Sequence, residues 1–348
     1  MSEEKRTEIG ELGEFGLIEH LSKRLESQLS APGHDIVKGI GDDAAVLEKN
    51  EQELTLISTD MLIEGVHFDL TFMPLQHLGY KAIAVNVSDI AAMNGMPKQA
   101  TVSLAVSNRF SVEALEVLYD GIAAAAKDYN IEIIGGDTTA SPSGLVISIS
   151  VLGEAHRDKV VYRSTAKDTD ILCVTGDLGA AYAGLQVLER EKQEFLGNPD
   201  MQPQLQEYEY VVGRQLRPRA RMDIVHELES LGLKPTAMID ISDGLTSEIF
   251  HLCKQSDLGV SIYEDKLPIF EKTYETAAEF QIDPNTCALH GGEDYELLFT
   301  LSQADFEKIE KHEDIQTIGY MHPKEKGRVM VTRQQNVIEL SAQGWKHF

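Results

Sequence analysis

Asp240-Ile241-Ser242-Asp243-Gly244 follows the apolar run at residues 237–241 and precedes a helical pattern at 245–254, so two carboxylates stand where a strand hands over to a helix. Ser242 is placed to cap that helix. Three further segments set acids at a turn: Gly39-Ile40-Gly41-Asp42-Asp43, Ser58-Thr59-Asp60 and Gly135-Gly136-Asp137. A fifth acid, Asp89, lies in Asn86-Val87-Ser88-Asp89. If folding gathers them, the carboxylates repel by roughly 4 kcal/mol per pair at ~4 Å and an effective dielectric of about 20. Bound cations make such a cluster tolerable. An all-oxygen set, with no thiol or imidazole cluster beside it, points to magnesium, manganese or calcium. The pattern reads as a hard-metal site built from dispersed acids and suited to phosphates.

The chain of 348 residues exceeds one comfortable core, so two domains are expected. Hydrophobic residues at 42% and charged residues at 25% are ordinary for a globular protein. The net charge of −26 is not, and it argues against nucleic acid or anionic membranes as partners. Most of that charge reads as solubilising surface. Cys173, Cys253 and Cys287 lie far apart, without zinc or redox spacing, and fit free thiols in the cytoplasm. The amino terminus is charged and lacks an apolar signal core. No apolar run reaches the ~20 residues of a membrane span.

Residues 11–29 carry apolar side chains at helical spacing, and Pro32-Gly33 marks a turn. Strands are expected at 44–47 and 54–58, the second delivering Thr59 and Asp60 at its carboxyl end. A helix is expected at 81–94, with Ile83, Val87 and Ile90 as its buried stripe and Asn86 and Asp89 on another face. Asn94-Gly95-Met96-Pro97 stops it. A strand at 100–106 and a helix at 111–130 capped by Ser111 follow. Residues 131–134 form a strand ending in Gly135-Gly136-Asp137, and 145–152 form another. The pattern loosens near 153–159, giving domains 1–153 and 154–348. Beyond it come a strand at 171–175, a turn at 176–179, an alanine-rich helix and a polar surface excursion at 190–210. Strands at 260–263, 295–300 and 328–332 complete the chain. The class is α+β, or mixed α/β, in two halves.

Gly39-Ile40-Gly41-Asp42-Asp43-Ala44 spells the dinucleotide fingerprint, but no strong strand precedes it and no helix follows. Its paired carboxylates would also face the pyrophosphate that the motif exists to bind. The chain has no Gly-Lys dipeptide for a phosphate loop and no H-E-x-x-H. Asp240–Gly244 fails as a calcium loop: the glycine comes fifth rather than sixth, and His251 stands where a bidentate Glu is required.

Taken in order, the motifs resemble the thiamine-monophosphate kinase family, in the superfamily that also holds aminoimidazole ribonucleotide synthetase and selenophosphate synthetase. They are GEFGLIEHL near the start, GIGDDAAVL (39–47), ISTDMLIEGVHF (57–68), YKAIAVNVSDIAAMNGMPK (80–98), IIGGDTT (133–139), VYRS (161–164), IDISDGL (239–245), GGEDYELLF (291–299) and GWKHF (344–348). The resemblance implies a two-domain fold like that of aminoimidazole ribonucleotide synthetase. It also implies a homodimer, with ATP and several Mg²⁺ ions in the inter-domain cleft. The implied reaction moves the ATP γ-phosphoryl directly to thiamine monophosphate, with positioning and metal charge instead of a catalytic side chain. Carried over by position, Asp43, Thr59, Asp60, Asp89, Asp137, Asp240 and Asp243 resemble metal ligands, with Ser58 and Asp42 in support. Tyr119, Gly136, Asp137, Arg163 and Ser242, together with Asp42, resemble ATP contacts. His67 and Glu293 match substrate-binding positions. Some family members carry a tryptophan near the carboxyl end; here that place is Ala342, and the only tryptophan, Trp345, is the candidate aromatic contact. Taken singly, His67 reads as a packed core histidine and Arg163 as a surface charge. Alternative readings of the whole are another ATP-dependent synthetase or a non-catalytic nucleotide or metal sensor.

Overall fold

The computed structural model describes residues 9–28, 35–200 and 202–341. The first half runs α1 (Ile9–Gln28), β1 (Ile36–Lys38), β2 (Ala45–Glu48), β3 (Glu53–Ile63), α2 (Leu75–Ala92), β4 (Met96–Val106), α3 (Val112–Asp128), β5 (Glu132–Ala140) and β6 (Val146–His156). Its six strands form one sheet in the order β1-β2-β3-β6-β4-β5, antiparallel except for the β4–β5 pair. Strict alternation along β3, β4 and β6 sends Leu54, Leu56, Val102, Leu104, Ile147, Ile149 and Val151 to one face. Helices α2 and α3 cover that face.

The second half runs β7 (Ile171–Thr175), α4 (Ala180–Gly197), α5 (Glu209–Leu216), α6 (Met222–Ser230), β8 (Ala237–Asp240), α7 (Leu245–Ser256) and β9 (Leu258–Tyr263). It continues with α8 (Glu271–Glu279), α9 (Pro284–His290), β10 (Leu297–Leu301), α10 (Phe306–Ile309), β11 (Ile315–Pro323), β12 (Arg328–Val331) and β13 (Val337–Glu339). Its sheet has the order β13-β12-β9-β11-β7-β10-β8, with β12–β9 the one parallel pair. The inner face of this sheet carries Cys173, Met238, Leu297, Phe299 and Leu301 into the same core as α2 and the first sheet. Its outer face carries Leu172, Val174, Ile239 and Leu298 into a second core with Ile249 and Leu252 of α7. The chain is therefore α/β mixed in two halves, and the larger core belongs to both.

Helix α2 is the seam between them. Every residue from Leu78 to Ser88 is buried, which is how a helix enclosed on all sides reads. This corrects the expectation of a single buried stripe. The helix also starts earlier than expected, at Leu75 behind Pro74. Asn94 ends the turn that follows in the left-handed region, with φ of 55°.

Other differences have local causes. Strand β3 runs on to Ile63, so Ser58, Thr59 and Asp60 lie inside it instead of at its end. Strand β5 likewise passes through Gly135-Gly136-Asp137, because β4 offers it a partner as far as Ala140. Ser242 does not cap α7: Gly244 occupies the cap position with φ of 102° and no side-chain bond is made there. Residues 190–210 are largely helical, since α4 extends to Gly197 and a short turn at Gln206–Tyr208 leads into α5. The two sheets part between His156 and Ile171, so β6 outlasts the boundary expected at 153. Among the described residues no helix is long and apolar enough to cross a membrane.

Helices α2 and α3 touch backbone to backbone. A Cβ on Gly121 would stand 1.9 Å from the Gln76 carbonyl oxygen, and one on Gly79 would stand 2.0 Å from that of Leu118. Gly121→Ala must push the helices apart, at a cost of about 1–3 kcal/mol. A lowered thermal unfolding midpoint is expected; an unchanged midpoint would show that the pair is loosely packed.

Candidate metal and nucleotide site

Four segments deliver acids to one place. Along β8, Met238 points into the shared core, so Asp240, two residues on, points the same way, toward α2. There the Ser88 hydroxyl donates to Asp240 Oδ2 at 2.6 Å. The next residue of α2, Asp89, accepts a hydrogen bond from the Ser58 hydroxyl of β3. The turn before β2 supplies Asp43. Oxygens of Asp43, Asp89 and Asp240 all lie within 4.8 Å of one another. Asp60, on the same face of β3 as Ser58, bonds to Asp89 and adds its charge to the group. The Asp60 amide is fixed by Asn86 Oδ1 at 3.1 Å, which ties strand to helix beside the acids.

Burial first, and neighbouring carboxylates second, push these groups up. Asp89 is raised well above the ordinary carboxylate range by burial and then by Asp60, Asp240 and Asp43, against the Ser58 hydrogen bond. Asp240 is raised by burial and then by Asp43, and Asp60 by burial. Asp42 is pushed up to about 6 by burial and Asp43. Its Oδ2 is buried without a hydrogen-bond partner. A set of oxygen-only donors, mutually repelling and out of water, fits a hard divalent cation. The protein itself places two cations there, Lys38 with its Nζ 3.6 Å from Asp42 Oδ2, and Arg163. Its guanidinium forks onto both oxygens of Asp43, with Nε at 2.9 Å from Oδ2, and its amide donates to Asp42 Oδ1 at 3.2 Å.

Two loops of the second half close the site from below. The Ser242 carbonyl accepts from the Glu293 amide at 2.7 Å, and the Ile241 carbonyl accepts from the Tyr295 amide at 2.9 Å. Ser242 and Asp243 therefore travel with the Gly291–Tyr295 segment. The Asp243 amide is held by Glu248 Oε1 at 3.1 Å. Glu248 is buried and raised well above its usual range by that burial and then by Asp243.

Other expected site residues stand elsewhere. The Thr59 hydroxyl donates to the Ile149 carbonyl at 3.2 Å and accepts from Ser150 on the opposite, open face of the sheet. As a side-chain ligand it is not brought to the cluster. Asp137 pairs with Ser103 on that same open face. Its strand lies three places from β3, on the order of 14 Å across the sheet. Gly136 has φ of 157°, and a Cβ there would meet the Val102 oxygen at 1.8 Å, so only glycine lets β5 lie against β4. Tyr119 is exposed on α3. His67 is half-buried in the turn after β3, where its Nδ1 accepts from the Ile63 amide at 3.0 Å; a neutral ring then carries its proton on Nε2. Trp345 lies outside the described residues.

Sequence reading passed over Ser88, Glu248 and Lys81. Ser88 had a visible signal, being adjacent to Asp89 and seven residues from Lys81 along one helix face.

The chain matches the family models for AIR synthase related protein, N-terminal domain over residues 41–155 and C-terminal domain over residues 168–332. It is 36% identical to a thiamine-monophosphate kinase of Bacillus subtilis (strain 168), over 97% of this chain and 100% of the relative. It is also 36% identical to one of Aquifex aeolicus (strain VF5), over 98% of this chain and 99% of the relative. A solved structure described as AaThiL complexed with AMPPCP and TMP superposes with a TM-score of 0.82 at 34% identity, covering 99% of each chain. Hydrogenase maturation protein HypE in complex with ATP, at 18% identity and a TM-score of 0.66 over 92% of this chain and 94% of that one, shares the fold.

Raised carboxylates hold protons more tightly in the folded chain than in the unfolded one. Stability of the metal-free protein therefore falls as pH rises above the ordinary carboxylate range, through about 6 and beyond. In chelator, the melting temperature should drop between about pH 5 and about pH 9. Asp89→Asn should flatten that slope and melt higher at the alkaline end, by about 1–3 kcal/mol of stability, while gaining less from added Mg²⁺. A variant less stable than its parent at alkaline pH in chelator would show that the acids do not repel as described.

Proposed function

We infer that this chain, which belongs to the thiamine-monophosphate kinase family of AIR synthase related proteins, phosphorylates thiamine monophosphate with ATP, giving thiamine diphosphate and ADP. The observation that carries this reading, beside family membership, is the convergence of Asp43, Asp89 and Asp240 with Arg163 at the seam of the two halves.

In the proposed step an oxygen of the thiamine monophosphate phosphate attacks the γ-phosphorus of ATP. The bond from that phosphorus to the β–γ bridging oxygen breaks, and its electron pair leaves with ADP. A phosphate monoester is largely ionised at neutral pH, with its second pKa about 6, so the attack needs no general base. Asp43, Asp60, Asp89, Asp240 and Asp243, with Ser58 in support, would hold several magnesium ions, whose charge lets phosphate oxygens sit beside carboxylates. Arg163 and Ser242 face the triphosphate, while Glu293 and His67 receive the acceptor. The chain's contribution is chiefly positioning in a site walled from water.

The homodimer is likewise a proposal. All nine residues of the edge strand β5 are exposed, and Ile133, Ile134 and Met61 present apolar side chains at 40%, 56% and 52% exposure. An unpaired edge next to an apolar open face calls for a cover. A second copy seated there would also take Thr59, Gly136 and Asp137 out of solvent. Free buried cysteines at positions 173, 253 and 287 support a reducing, cytoplasmic setting.

A coupled assay for thiamine diphosphate should show ADP release that depends on thiamine monophosphate and stops in chelator. Asp60→Asn, Asp89→Asn or Asp240→Asn should each cut turnover by orders of magnitude; near-normal turnover would sink the metal reading. ATP–ADP exchange without the acceptor would instead favour a phosphorylated aspartate. Tight ATP binding with no stimulation by thiamine monophosphate would favour a sensor. Light scattering should give a dimer mass, and Ile134→Asp should shift it to monomer.

A further inference from the structure

We propose that Lys81 is a positioning residue for the acceptor substrate, its buried ammonium holding the Glu293 carboxylate in place across the seam between the two halves. This rests on the reading of Glu293 as a substrate contact. Lys81 is fully buried, at 0% exposure, in the middle of α2. A lysine is almost never enclosed this completely unless it is paired, because an unpaired ammonium out of water is very costly. Its Nζ stands 2.7 Å from Glu293 Oε1, a partner more than two hundred positions away in the chain. Gln215 Nε2, from α5, donates to Glu293 Oε2 at 2.5 Å. Both oxygens of Glu293 are therefore gripped, one from each side of the seam.

The carboxylate is nonetheless not enclosed. Its side chain keeps 29% exposure while Lys81 has none, so Glu293 is held from behind and open in front. A carboxylate accepts about four hydrogen bonds. Two are taken by Lys81 and Gln215, which leaves acceptor capacity for the aromatic amine of a thiamine phosphate and a negative charge to face its cationic ring. The backbone is built for the same purpose. Glu293 and Tyr295 both lie in the left-handed region, with φ of 59° and 52°, beside Gly292 at 71°. Non-glycine residues hold such conformations only where surrounding contacts over-determine them, and such strain gathers at ligand sites. Lys81 also shares a face of α2 with Ser88, which grips Asp240. One rigid helix thus indexes the acceptor carboxylate against the acids of the phosphoryl site.

The test is steady-state kinetics on the full-length enzyme with thiamine monophosphate and Mg-ATP varied separately, alongside melting temperatures. Lys81→Met should raise KM for thiamine monophosphate by roughly tenfold or more, with KM for Mg-ATP nearly unchanged. Gln215→Leu, a milder change on the other oxygen, should move the same constant by less. Glu293→Gln should raise it too, and Lys81→Met added to Glu293→Gln should cost little more, because the lysine then has no carboxylate to place. If both Michaelis constants and the melting temperature shift together in Lys81→Met and in Gln215→Leu, the pair is only a strut and the proposal fails. If Glu293→Gln alone impairs acceptor binding while the other two variants are silent, the positioning role fails and the substrate reading stands. If Glu293→Gln is silent, both are overturned.

Discussion

Everything in the site follows from burying several carboxylates against one another where two sheets meet. Asp43, Asp89 and Asp240 crowd within 4.8 Å, with Asp60 beside them. Unscreened, such a group would be worth several kcal/mol of repulsion. The fold contains it in three ways. Asp60, Asp89 and Asp240 are raised and so hold protons more tightly than open carboxylates do. Hydroxyls of Ser58 and Ser88 donate to Asp89 and Asp240. Arg163 gives Asp43 a fixed positive partner. Each of these makes the crowded acids tolerable in the metal-free chain, and on the proposed reading a cation would complete their compensation.

Helix α2 makes that concentration possible. It is buried on all sides between two sheets, so its polar residues have no water to turn to and must find partners in both halves. Lys81 reaches Glu293 and Ser88 reaches Asp240 in the second half, while Asn86 fixes the Asp60 amide in the first. The close α2–α3 contact at Gly79 and Gly121 then sets the depth of the helix against the first sheet. A shift of α2 would misplace the acids, the Glu293 carboxylate and β3 together. Conformational precision at the site is thus carried by a core helix as much as by loops.

Much of this was legible in the chain and some was not. Apolar runs ending in acids located β2, β3, β5 and β8, because a half-buried strand writes its period into the sequence. The same runs understated their length at β3 and β5, since polar Ser58-Thr59-Asp60 and Gly135-Gly136-Asp137 break apolar alternation while a neighbouring strand still pairs with them. Ser242 looked like a cap by composition, but the backbone turns at Gly244, which a preference scale cannot foresee. Asp137 and Asp60 read as equivalent acids at turns. Only sheet order and register reveal that they occupy opposite faces, three strands apart. Lys81 stood inside the motif at 80–98 without an assigned role, and its meaning depends on a partner in the other half.

Charge balance also links the metal to the nucleotide. Arg163 places its guanidinium on both oxygens of Asp43, one of which a cation shared with Asp89 and Asp240 would use. Each of those oxygens keeps a second lone pair, so a cation at Asp43 would share the carboxylate with Arg163 and weaken its grip. The guanidinium, buried beside Glu248 and Asp240, would then have donors for a further anion, and a triphosphate entering the seam would supply one. On the proposed reading, metal and nucleotide would therefore favour each other's binding through Arg163.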